Sequence, residues 1–213
     1  MTRFFKTERV CAGCTCRMSE QVRGALRSAA AEFHRIVEGI RPDQLTAPTP
    51  CTDYDVKALC NHLLYWGPRL ASAARKQPPP GADGGESSAD LVRSDWAERL
   101  GKQTEDLLDA LSADEAWQGT TSMGGPSRPA SMIGAMVLCE LVLHGWDLAK
   151  ATRQRPPDAE DAAEAIERVM ADMAEQGRLM KVFGDEVAVG AAASSLEKAL
   201  GAAGRSPSWS PQA

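Results

Sequence analysis

Between residues 19 and 40, Val22, Leu26, Ala29, Phe33, Ile36, Val37 and Ile40 recur every three or four positions. That spacing lays one apolar stripe along a helix. Ser19 stands where an N-cap is expected, and Pro42 stops the pattern. A second helix is predicted over about 53–75, with Thr52 opening a capping box in TDYD and a bend at Gly67-Pro68. A third, over 90–111, carries Leu91, Trp96, Leu100, Leu107, Leu108 and Leu111. A fourth spans 131–152 and is closed by Pro156-Pro157. The fifth, 158–176, packs through Ala162, Ala165, Ile166, Val169 and Met173, and a short amphipathic turn follows through Leu196 and Leu200. No internal repeat or strand ladder is read.

The segment between the second and third helices, QPPPGADGGESSA at 77–89, is rich in proline, glycine and serine. It is long for a tight hairpin, so it predicts a crossover between helices that are not antiparallel neighbours. The pattern as a whole predicts an all-α bundle with one long crossover. Residues 1–17 are expected to be a disordered tail or an over-long start, 18–182 the helical bundle, and 183–213 a C-terminal appendage.

Composition narrows the function. The chain of 213 residues is 43% hydrophobic and 25% charged, as in an ordinary globular domain. A net charge of −5 with no basic cluster argues against nucleic acid as the main partner. No apolar run is read as approaching the roughly 18 residues that span a bilayer. MTRFFKTERV is basic but lacks the apolar region of a signal peptide. A cytoplasmic protein without a membrane partner is therefore expected.

The six cysteines, at 11, 14, 16, 51, 60 and 139, do not form a disulfide framework for a chain of this size. Cys51, Cys60 and Cys139 are read as small hydrophobes. In CAGCTC, Cys11, Cys14 and Cys16 have half of a metal-site spacing but no second cysteine pair nearby. A redox switch on an otherwise independent domain is the alternative for that segment.

The unusual stretch is CELVLHGWDLA, residues 139–149. On an α-helix Glu140, His144 and Asp147 fall within roughly 60° of one another. An apolar face thus turns polar over its last two turns, which is costly unless the groups are paired or reach water. Glu140 and His144 at i, i+4 can chelate one ion. Only three histidines exist, His34, His62 and His144. Packing the second helix against the fourth would bring His62 opposite Glu140 and His144. The plainer alternatives are a hydrogen-bonded core histidine at 62 and a solvated helix edge at 140–144. Asp147 either orients His144 or pairs with Lys150, and His34 is read as structural or exposed. No G-x-S-x-G elbow or glycine-rich phosphate loop is present.

Three separated segments carry a family resemblance. PTPCTDYDVKALCNHLLYW, 48–66, is similar to the P-x-P-C-x2-W/Y-x-V-x2-L-x2-H-L segment of actinobacterial DinB-like metal-binding proteins. These are related to the metal-binding domain of mycothiol-dependent maleylpyruvate isomerase. ELVLHGWDLAKAT resembles that family's E-x3-H-x-W-D-L-A helix, and FGDEVAV followed by GRSPSW resembles its tail. The resemblance implies an up-down-down-up four-helix bundle. It also implies one divalent metal, zinc first and nickel or iron(II) as alternatives, on His62, Glu140 and His144, with Asp147 orienting His144. By the same resemblance the metal activates a low-molecular-weight thiol such as mycothiol, which attacks an electrophilic small molecule in S-transfer or isomerisation. Trp66 and Trp146 are expected near the pocket wall, and a homodimer is compatible. The isomerase has a further C-terminal domain that contributes to its substrate site; here only a short tail follows about residue 182. A metal-stabilised bundle acting as a non-catalytic dimerising or sensing module is the rival from another class.

Overall fold

The computed structural model describes residues 12–81 and 85–211, with side chains from Arg17 onward. The first helix, α1 (Ala12–Glu38), begins before the expected cap, and Ser19 lies inside it. Residues 12–17 are therefore helical; the expected tail over 1–11, and any role for the Cys11, Cys14 and Cys16 side chains, lie outside the described residues. The apolar stripe of α1 is buried as the periodicity requires, with Phe33 and Ile36 at most 1% exposed. Its end is held by Gln154, whose side-chain amide donates to the Ile36 carbonyl at 2.8 Å.

The second helix, α2 (Val56–Ala74), is capped by Asp55, whose carboxylate accepts from Ala58 N at 2.7 Å. Thr52 does not cap it. The chain before it is tied by Val56 N→Ala47 O and Lys57 N→Leu45 O bonds, so the first free turn starts at 56. Pro68 lies inside the helix. Close approach of α2 to α3 (Trp96–Ala110) occurs at Gly67, where a Cβ would lie 1.7 Å from Gln103 Nε2. That same amide donates to Leu63 O. The third helix starts later than expected, and Leu91 sits in the preceding loop.

After a two-residue hairpin, β1 (Thr120–Thr121) with β2 (Arg128–Pro129), comes the central helix. It comprises α4 (Ser131–Cys139), a π-helical turn (Glu140–His144) and α5 (Gly145–Ala151). By length and composition Ser131–Ala151 could cross a membrane, contrary to the expectation from the sequence, but 72% of its most apolar stretch is buried inside the bundle. It is the core helix. α6 (Glu160–Leu179) packs on α1 and carries α7 (Ser195–Ala202), which starts with a Ser194/Glu197 capping box.

Helix directions follow from cross-contacts. Asn61 meets Leu91, Leu63 meets Gln103, and Arg75 meets Asp106 and Asp109, so α2 and α3 run parallel. Arg23, early in α1, bonds Ser112 and Asp114 just past α3, so these two are antiparallel. Late residues of α1 meet the end of the core helix, Phe33 beneath Gly145 and Ile36 beside Gln154, so those two are parallel. The order is up-down-down-up, with the long crossover joining the two parallel helices. α2 and the core helix are consequently antiparallel neighbours, which sets 62 opposite 140.

Candidate metal centre

Two elements supply the three expected ligands. His62 projects from the middle of α2, and Glu140 and His144 bracket the π-helical turn. The segment 140–144 is therefore not the α-helix that the sequence suggested. Its wider i→i+5 turn keeps both side chains on the face toward α2, and such turns recur at functional sites. Glu140 Oε2 lies 3.3 Å from His62 Nε2 and 3.7 Å from His144 Nε2. One donor atom from each of the three residues fits within a 4.8 Å cluster. The rings themselves are edge-to-face, with centroids 5.2 Å apart.

Each imidazole is held from behind by a carboxylate. His144 Nδ1–H donates to Asp147 Oδ2 at 2.9 Å. Asp147 is 0% exposed and is paired with Arg205, whose Nη2 donates to Oδ2 at 3.0 Å. Arg205 is itself buried and donates Nη1 to Ala203 O. Burial alone would raise the Asp147 pKa, yet Arg205 and His144 outweigh it and hold the carboxylate below its usual range. Asp147 thus orients His144, and its ionic partner is Arg205; no Asp147–Lys150 pair is among the described contacts. Lys150 instead sits 5.6 Å over the Trp146 ring, and Trp146 is packed in the core.

The support of His62 is Glu86, in a short 3-10 turn of the crossover (Glu86–Ser88). Glu86 Oε1 accepts from His62 Nδ1–H at 3.0 Å and from the Tyr54 hydroxyl at 3.0 Å; Oε2 accepts from Trp66 Nε1–H at 2.7 Å. Sequence reading missed Glu86, Tyr54 and Arg205 as site residues. Tyr54 and Arg205 sat inside the quoted motifs, whereas Glu86 lay in a low-complexity stretch with no local signal.

With both Nδ1 atoms committed as donors, neutral rings present their Nε2 lone pairs toward Glu140. Glu140 Oε2 is buried and makes no hydrogen bond of acceptable geometry. Three electron-pair donors converging on one point, one of them a buried carboxylate oxygen without a hydrogen bond, suit a cation. Burial opposes ionisation of Glu140, but the two histidines and Arg205 keep its pKa below the ordinary value. Burial likewise pulls His62 toward neutrality, but Glu140 and Glu86 prevail and its pKa is raised.

A second cluster, Cys51 with His144 and Asp147, also comes within ligand range. It is the poorer candidate. Asp147 is committed to Arg205, and burial, reinforced by Asp147 and Asp53 against the opposing pull of Arg205, pushes the Cys51 thiol up to about 11. Among the described residues no cysteine joins the His62–Glu140–His144 group. Cys60 and Cys139 are buried, as small hydrophobes would be. A groove of about 400 Å³ is lined by Glu32, Asp158, Glu160 and Ser195 among others and contains none of the three candidate ligands. A small void of about 20 Å³ adjoins Glu140 between Phe33, Leu63 and Trp66. His34 is half-buried with Nε2 unpaired, away from this centre.

Two mycobacterial proteins, "Uncharacterized protein MT0763" and "Uncharacterized protein Rv0738" of Mycobacterium tuberculosis strains CDC 1551 / Oshkosh and ATCC 25618 / H37Rv, are each 26% identical over 165 residues. The match covers 76% of this chain and 85% of each relative. Among solved structures, the crystal structure of a histidine-to-alanine mutant of the mycothiol-dependent maleylpyruvate isomerase is similar over 75% of this chain and 72% of that one, at 15% identity and a TM-score of 0.49. The family model described as the mycothiol maleylpyruvate isomerase N-terminal domain matches residues 26–149, a span holding His62, Glu140, His144 and Asp147 but not Arg205. The chain belongs to the mycothiol maleylpyruvate isomerase N-terminal domain family.

Proposed function

We propose that this protein binds one divalent metal ion through His62, Glu140 and His144 and uses it in thiol-dependent transfer or isomerisation of a small electrophile. The observation that carries the reading is Glu140 Oε2, buried, without a hydrogen bond and flanked by two Nε2 atoms. Two imidazoles and a carboxylate suit zinc, nickel and iron(II), with zinc the first choice. When bound, such an ion would hold the sulfur of a low-molecular-weight thiol such as mycothiol and favour its thiolate at neutral pH.

The chain's own residues do the rest. His62 and His144 are held in the ligating tautomer by Glu86 and Asp147, and Arg205 keeps Asp147 ionised. The candidate ligand side chains are 13–21% exposed, so the centre lies near the surface of the bundle. Tyr54 and Trp66 border it beside His62. Three protein ligands with no fourth cysteine among the described residues support an open coordination position, and hence catalysis over a closed structural site.

Cobalt(II) substitution tests the reading. Adding mycothiol, or glutathione as a control thiol, to the cobalt-loaded protein should produce a sulfur-to-cobalt absorption band that His144→Ala lacks. Cobalt binding without any thiol band would contradict thiol activation while leaving the metal site standing.

A further inference from the structure

The two imidazoles are supported from different parts of the molecule. His144 leans on Asp147, which is buried and ion-paired to Arg205. His62 leans on a residue of the Pro/Gly-rich crossover. Glu86 follows Gly85, whose φ of 83° turns the chain into the 3-10 segment, and Ser88 closes that turn by donating Oγ to the Gly85 carbonyl at 3.0 Å. The crossover is pinned again by Asn61 Oδ1, which accepts from Leu91 N at 2.8 Å. Between these points, the Glu86 carboxylate makes the crossover's described polar contacts with the metal centre.

Its chemistry decides which way His62 is protonated. An ionised carboxylate only accepts. With Tyr54 hydroxyl and His62 Nδ1 both 3.0 Å from Oε1, both must donate to it. The Tyr54 hydroxyl also lies 3.2 Å from His62 Nδ1. Without Glu86 it can donate to that nitrogen instead, which places the ring proton on Nε2, facing Glu140. A protonated Nε2 cannot ligate.

We propose that Glu86 is a positioning residue that makes the crossover part of the metal site. It fixes His62 with Nδ1–H turned outward and Nε2 turned toward Glu140, so that a bound divalent ion and the docked crossover stabilise each other. This rests on the metal-site reading given above. Coupling of this kind is reciprocal: whatever docking of the crossover adds to metal affinity, the metal returns to docking.

The test uses the full chain and zinc, with a chromophoric chelator as competitor. Glu86→Ala is expected to bind zinc roughly 10- to 100-fold more weakly than wild type, as for other groups that orient ligands. Glu86→Gln should also bind more weakly, because one amide oxygen replaces two carboxylate oxygens that take three donors. The near-isosteric Gln variant keeps the test decisive if the Ala variant fails to fold, which circular dichroism reports. In zinc-loaded wild type labelled with 15N-histidine, the His62 Nδ1–H should be visible and protected from exchange, and it should be lost in Glu86→Ala. Zinc should slow protease cleavage of the crossover in wild type but not in that variant.

Unchanged zinc affinity and an intact Nδ1–H signal in both Glu86 variants would overturn the positioning role, leaving Glu86 a mere loop anchor. Equal zinc protection of the crossover without Glu86 would overturn it as well. Failure of wild type to bind zinc is a different result, and it removes the metal-site reading itself.

Discussion

Replacing Arg205 by methionine leaves the chain's length and most of the side chain's packing in place but removes the charge. Asp147 is then a fully buried carboxylate whose remaining polar partner is His144 Nδ1. Breaking a buried pair by removing one partner costs about 3–5 kcal/mol, because the other charge stays behind uncompensated. For a chain of this size each kcal/mol moves the midpoint by roughly 2–4 °C, so Arg205→Met should melt roughly 6–20 °C below wild type at pH 7. The pH dependence follows from the sign of the shift. Asp147 has a folded pKa held below its ordinary value of 3.8, so its pairing stabilises the fold above that value and is lost as pH falls through the folded pKa. The gap between wild type and Arg205→Met should therefore be full at pH 7 and close progressively below about pH 4. The assay is urea denaturation across pH 3–7, with Asp147→Asn and the double variant completing a mutant cycle. A loss under about 1 kcal/mol at pH 7, or a gap independent of pH, would refute the ion-pair argument.

Three further outcomes are expected. Zinc affinity should fall as pH drops through the raised pKa of His62, beginning above the 6.5 of an ordinary histidine, because protons compete for Nε2; affinity flat down to pH 6 contradicts this. In a variant carrying serine at 11, 14 and 16, thiol reagents at pH 8 should label Cys51 and Cys60 only after unfolding, because burial holds them up to about 11 and about 12; rapid labelling of the native chain would contradict it. Ser194→Ala removes the cap of α7 and should cost about 1 kcal/mol in denaturant unfolding without altering zinc affinity.

The bundle was legible because its helices bury one stripe each. The period of Val22 through Val37 places the body of α1 but not its start at Ala12, and the crossover's length implies the parallel α2–α3 pair. The grouping of His62, Glu140 and His144 was legible because polar residues interrupted an apolar face at a spacing that pointed them one way. Other features hid for physical reasons. The start of α2 is set by backbone bonds from residues 56 and 57 to the preceding loop, so Asp55 and not Thr52 became the cap. A five-residue π turn is too short to distinguish from an α-helix by periodicity, so the local geometry at 140–144 escaped. Glu86 sits 24 residues from His62 in a loop whose composition says nothing of long-range contacts. Arg205 stood within a recognisable tail segment, but its burial against Asp147 across 58 residues is a tertiary fact.

Metal content decides most directly between a ligand centre and a cluster of paired side chains. Untagged wild type, His62→Ala, Glu140→Ala and His144→Ala would be purified and analysed by elemental mass spectrometry, before and after incubation with zinc, nickel or iron(II). About one divalent ion per wild-type chain, lost in each variant, is the predicted result. A wild-type chain that stays metal-free after every incubation would contradict the metal centre, and with it the proposed chemistry.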